Sequence, residues 1–214
     1  MSNLSKFVSK FRITENRGNS PVESRVGTLE VDQDLKDAIT SLGGKSFNDG
    51  LYRVYRGDEI TAVTKTVVDA FPEYADQIIV FAADWLGRQF AVDYGRTEGG
   101  KPLVLLIEVG AGEAAQIPCS IIQFHNEELT EYQDDALALP FFKQWAKGDP
   151  KSEVGYSDCI GYKVPLFLGG EDTVENLERI NMALYIDVCG QLRSKTMDLK
   201  DGQKISQVKI TSPH

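Results

Sequence analysis

Residues able to do chemistry are few in this chain of 214 residues: Cys119, Cys159 and Cys189, His125 and His214. A thiol nucleophile needs a base within hydrogen-bond reach. Cys119 and His125 are the one pair to consider, since His214 is terminal. Pro118 before Cys119 and Ile121-Ile122 after it set the thiol in an apolar context, where a buried cysteine is inert. The three cysteines form no C-x-x-C, and with two histidines they do not suggest a zinc site. They are expected to be reduced thiols, and no cofactor is expected.

Two glycine-bearing stretches invite a phosphate reading. Gly169-Gly170 precedes what reads as a helix start, but Glu171 and Asp172 follow and would repel phosphate, and no P-loop lysine is present. Asp172 with Glu175 fits a D-x-x-E capping pattern instead, which makes the glycines a turn and a cap. "GAGE" (110–113) lacks the third glycine of a dinucleotide fingerprint and sits in no βαβ pattern, so a turn between strands is expected. Carboxylates are more suggestive. Glu127, Glu128, Glu131, Asp134 and Asp135 fall within nine positions. Such a run is ordinarily a solvated helix face; the sharper reading is an acidic patch that meets a basic partner. Trp85 falls in an expected hairpin turn, where an aromatic either packs inward or anchors an interface.

The elements that must position these residues are legible from periodicity. "DQDLKDAITSLG" (32–43) and "DEITAVTKTVVDAF" (58–71) carry helical stripes closed by Gly43 and Pro72. "LYRVYR" (51–56) reads as a strand. "QIIVFAA", "RQFAVDYG" and "PLVLLIEV" follow as three strands, joined by a turn at 84–87 and a looser one at 96–101. Such short turns imply antiparallel pairing. Residues 120–146 read as mainly helical, kinked or divided at Pro140. In 161–193 an extended segment, a glycine turn and one capped helix are expected, with Val174, Leu177, Asn181, Leu184, Tyr185, Val188 and Leu192 at helical spacing. Leu4, Phe7, Val8 and Phe11 suggest a short helix, and "TENRGNSPVES" a flexible connection. The expected class is α+β: a central antiparallel sheet flanked by helices, in a single domain over 42–193 with an N-terminal extension at 1–41 and a C-terminal tail at 194–214.

Composition narrows the function. With 42% hydrophobic and 26% charged residues the chain is an ordinary globular one, long enough to hold a core without metal or disulfide. Its net charge of −9 argues against nonspecific nucleic-acid binding, which needs cations to displace counterions. The same charge suits a basic protein partner, such as the active face of a nucleic-acid-cutting enzyme. No secretory signal and no apolar run of membrane-spanning length is seen, so a cytoplasmic protein with no membrane partner is expected.

Four blocks then occur in order: "SFNDGLYRVYR", "FPEYADQIIVFAADWLGRQFAVDYGR", "IEVGAGEAAQIPCSIIQFHNEEL" and "GYKVPLFLGGEDTVENLERINMALYIDVCGQLR". Together they resemble the C-terminal domain of the bacterial type VI secretion DNase-immunity family, across roughly 42–193. "DWLGRQFA" and "GYKVPLFLGGEDTVENLE" are the most specific parts. The resemblance implies a non-catalytic cytoplasmic protein that binds and neutralises a cognate toxin, and its α+β build is similar to that of SUKH immunity proteins. Longer members carry an N-terminal GAD-like domain; residues 1–41 are too short for one, which leaves the toxin's class open. A regulatory or scaffold module without a toxin partner is the alternative. The residues expected to meet the partner are Trp85, Glu127, Glu128, Glu131, Asp134 and Asp135.

Overall fold

The unbroken apolar run at 78–84 becomes the middle strand of the molecule, buried at all seven positions. A strand without polar alternation must be covered on both faces, and in the computed structural model, which describes residues 4–196, it is. From the N-terminus, α1 (Ser5–Lys10) leads into β1 (Ile13–Asn16). A small ribbon, β2 (Arg25–Val26) and β3 (Leu29–Glu30), precedes α2 (Gln33–Leu42). Then come β4 (Lys45–Phe47), β5 (Tyr52–Val54), α3 (Ile60–Ala70), β6 (Ile78–Asp84), β7 (Gln89–Glu98), β8 (Lys101–Glu108) and β9 (Glu113–Ile117). The seven strands β1-β4-β5-β6-β7-β8-β9 form one sheet in that order, each pair antiparallel. The α+β class and the central antiparallel sheet are as the sequence led one to expect.

A broken helical limb follows: α4 (Ile121–Gln123), a π-helical turn at Phe124–Glu128, α5 (Leu129–Glu131), α6 (Gln133–Ala136) and α7 (Leu139–Gly148). Pro140 sits in the first turn of α7, where its missing N–H costs nothing, so the proline divides the segment as anticipated. The chain closes with a second ribbon, β10 (Asp158–Tyr162) and β11 (Leu177–Asn181), and α8 (Met182–Thr196).

Side chains alternate across the sheet and so create two different faces. Phe47, Tyr52 and Phe90 point to the side covered by α1 and the 121–131 limb, where Phe7, Phe124 and His125 meet them. Arg53, Tyr55 and Gln89 point to the side covered by α3, α8 and the ribbon. There Thr64 on α3 accepts a hydrogen bond from the Val80 N–H, and the Gln89 amide donates to the Met182 sulfur.

Several expectations change. Residues 4–41 are built into the same core, with Leu4, Phe7 and Phe11 buried and β1 forming a sheet edge where a flexible connection was expected to begin. The looser turn at 96–101 tightens to Gly99-Gly100, both at positive φ, because β7 continues to Glu98. The single helix expected from Asp172 does not form. Residues 177–181 pair with β10 from Tyr162↔Leu177 to Asp158↔Asn181, and the helix starts only at Met182. A full ladder of backbone bonds outweighs a helical spacing of side chains that half of the segment happens to satisfy. Asp172 accepts from the Tyr162 hydroxyl at 2.6 Å, and Asn181 caps α8 by accepting from the Leu184 N–H at 3.2 Å. Most of the expected tail, 197–214, lies outside the described residues; 194–196 are the last turn of α8.

Candidate functional site

The limb after β9 starts on a capping box. The Ser120 hydroxyl accepts from the Gln123 N–H, and the Gln123 side chain accepts from the Ser120 N–H. The π turn that follows widens the helix and swings Phe124 and His125 inward together, both wholly buried. His125 Nδ1 lies 2.7 Å from the Ile121 carbonyl, which only accepts, so Nδ1 carries the proton. Nε2 therefore accepts from the Tyr52 hydroxyl at 3.0 Å. Burial pushes the imidazole down to about 4, so it stays neutral. Both ring nitrogens are committed, and none is left to activate a thiol. Burial, then the charges of Glu128 and Glu127, pushes the Cys119 thiol up to about 12. The Cys119–His125 pair considered from the sequence is therefore not assembled as a nucleophile and its base.

Inward aromatics leave the acidic residues facing out. Glu127, Glu131, Asp134 and Asp135 are exposed, and Glu128 is half-buried. Among the described residues only Glu131 of this group has an ion-pair partner, Lys6 at 3.8 Å, and both ends of that pair are well solvated. Amid these carboxylates stands Tyr132, 56% exposed. It is the exposed aromatic of this region, and sequence reasoning passed it over.

Trp85, expected as an interface anchor, is wholly buried. Its turn position was read correctly, but α7 lies over the turn: the indole packs against Phe142 and Trp145, and Nε1 donates to the Leu137 carbonyl at 2.9 Å. The rest of "DWLGR" works alongside it. Asp84 accepts from the Leu86 and Arg88 N–H groups at 3.0 Å and from Arg88 Nε at 2.6 Å. Arg88 Nη2 then donates to the Ala136 carbonyl. The most recognisable turn in the sequence is thus a clamp that holds the acidic limb at its C-terminal end.

The glycine pair is also structural. The Gly169 and Gly170 N–H groups donate to Leu166 and Pro165 carbonyls, and a Cβ on Gly170 would sit 1.9 Å from the Val164 oxygen. Those amides are spent locally, so no phosphate cradle forms. Among the described residues no group of three or more His, Cys, Asp or Glu side chains is placed to hold a metal ion, and no helix is long and apolar enough to cross a membrane.

On the opposite face of the sheet, α3 and α8 approach closely at Gly190, where a Cβ would lie 2.6 Å from Ala70 Cβ. Along this seam run two hollows. One, of 360 Å³, has Tyr55, Glu59, Val63 and Ile186 in its wall; the other, of 580 Å³, has Asp69, Leu184 and Asp187. Thr66, Asn181 and Ala183 belong to both, so the two hollows form one groove. Sequence reasoning missed it, because β11 and α8 were read as one helix and the groove depends on where that helix begins.

A crystal structure of Atu4351 from Agrobacterium tumefaciens shares this fold, with a TM-score of 0.53 over 89% of each chain at 11% identity. No curated protein matches the sequence. The family model described as "T6SS immunity protein Tdi1, C-terminal" matches residues 122–193. That stretch holds the whole acidic limb, the β10–β11 ribbon and the α8 wall of the groove. Over residues 122–193 the chain is thus similar to the C-terminal part of a type VI secretion immunity protein.

Proposed function

We propose that this protein is a non-catalytic cytoplasmic immunity protein that binds a cognate antibacterial toxin and blocks it by occlusion. The family match over 122–193 carries the reading. The neutral, doubly bonded His125 and the high-pKa Cys119 support its non-catalytic part. Glu127, Glu128, Glu131, Asp134 and Asp135, with Tyr132 between them, are the surface proposed to meet the toxin. A net charge of −9 favours a basic partner, and a nuclease has such a surface where it holds nucleic acid.

Co-expression with the product of the neighbouring gene tests this, with survival and co-purification read together. Rescue with a stable complex is expected, and its association rate should fall as salt rises. Neither rescue nor complex would defeat the reading. Rescue with salt-independent association would remove electrostatic steering from it.

A further inference from the structure

We infer that the α3–α8 groove is a docking site for a basic amphipathic helix supplied by the toxin, an inference that rests on the immunity reading above. The groove's shape and charge both argue for this occupant. Its walls are two helices, and it follows α3, which spans roughly 16 Å at 1.5 Å per residue. A slot bounded by two helices takes a third in the manner of helix-in-groove recognition. Its lining is apolar where a helix would rest: Ala62, Val63, Ala183 and Ile186, with Leu184 standing 41% exposed at the rim.

Charge gives the occupant its sign. Asp58, Glu59, Asp69 and Asp187 line the two hollows, and no lysine or arginine does. Asp58 and Asp69 are already paired, with Arg56 and Lys65. Glu59 and Asp187 are not: Glu59 accepts from the Tyr156 hydroxyl and the Arg56 backbone N–H, Asp187 from the Gln191 amide, all neutral donors. Among the described residues neither carboxylate is in an ion pair: the Arg56 charge reaches Glu59 only from beyond salt-bridge distance, and Asp187 has only the Gln191 amide. A helix with an apolar stripe flanked by lysine or arginine would satisfy both requirements together. An acidic or wholly apolar segment would leave these carboxylates repelled or desolvated.

The full chain is titrated with a fluorescent synthetic helix of leucine and lysine in amphipathic spacing, about 15 residues long so that it holds helicity. Two variants perturb the groove from opposite walls: Leu184→Lys with Asp187→Lys on α8, and Ala62→Arg on α3. Ala62 and Leu184 are solvent-facing and Asp187 is half-buried, so at least one variant keeps the native melt. Glu131→Lys with Asp134→Lys on the acidic limb is the comparison. The expected result is one peptide per chain, at least tenfold weaker binding in each groove variant, and no more than twofold weakening in the limb variant. Loss that follows the limb variant, or no saturable binding by the unaltered chain, would overturn the groove as a site. The same variants are then scored for protection against the neighbour-encoded toxin. Full protection by folded groove variants would overturn the toxin helix as occupant and leave immunity standing. No protection by the unaltered chain would instead overturn the immunity reading, and the toxin as occupant with it.

Discussion

The two faces of the sheet are built on opposite principles. The face under α1 and the 121–131 limb is sealed by rings: Phe7, Phe11, Phe47, Tyr52, Phe90 and Phe124 meet at centroid distances of 4.2–6.3 Å around one neutral imidazole. The face under α3 and α8 buries polar groups. Arg53 donates to the carbonyls of Gly155, Tyr156 and Asp158, and Tyr55 donates to Gln89. Arg53 Nε has no hydrogen-bond partner among the described residues. The first face takes its stability from interdigitated rings, with a hollow at its margin where Val8 and Ile13 stand exposed beside Phe11 and Phe47. The second is held in part by directional bonds, and the groove runs along its α3–α8 seam. Interlocked rings make the first face the stiffer of the two.

If the aromatic face is the stiff one, truncating it should have the largest effect. Phe124→Ala removes a wholly buried ring that touches Phe81, Phe90 and His125, and should cost about 3–5 kcal/mol in urea unfolding. Phe7→Ala should cost a similar amount, because α1 is part of the same core. A loss below about 1 kcal/mol for Phe7→Ala would mean that α1 is a detachable extension.

His125 makes the same contrast in pH. Its folded pKa, about 4, lies below the ordinary 6.5, so the unfolded chain binds more protons between those values. Stability from this residue is therefore present above pH 6.5 and falls as pH drops towards 4, by about 3 kcal/mol if the shift is full. His125→Gln should lower stability at neutral pH yet flatten the slope between pH 4 and 6.5. An unchanged slope would assign acid sensitivity to other groups.

Much of this contrast was readable beforehand, and the failures have physical causes. β6, β7, β8 and α3 were legible because long apolar runs and one unbroken stripe are set by their own composition. β1 and β11 were not, because strands of four or five residues exist only through a partner, β4 and β10, that lies far off in sequence. Trp85 illustrates the limit for site residues. Its turn was visible, yet its burial depends on α7, more than fifty residues later. The acidic run could be placed on an outward helix face; Glu59 and Asp187 could not be placed together, since one belongs to the start of α3 and the other to the middle of α8.

At the seam of the open face, Gly190→Ala would set a methyl 2.6 Å from Ala70 Cβ, and both atoms belong to helices that cannot move independently. Spreading α3 from α8 should cost about 1–3 kcal/mol and alter the groove's width. Double substitution of Ala70→Gly with Gly190→Ala should restore most of the packing loss, less about 1 kcal/mol for the glycine now inside α3. No recovery would mean that the close approach is not what makes glycine necessary there.

The smallest expected effect on stability falls on the acidic limb, and that smallness is informative. Glu131→Gln removes a pair with Lys6 at 3.8 Å whose side chains are 52% and 62% exposed, so the change should stay within about 0.5 kcal/mol. Asp134→Asn and Asp135→Asn touch no ion pair among the described residues and should be equally silent in unfolding. Carboxylates that do nothing for the fold, held outward by a limb clamped through Arg88 and capped at Ser120, are free to be selected for a partner. Toxin association should slow in these variants while their melts remain superimposable on the original. A shifted melt with unaltered association would reverse the assignment and make the limb a structural element, leaving recognition to the groove on the other face.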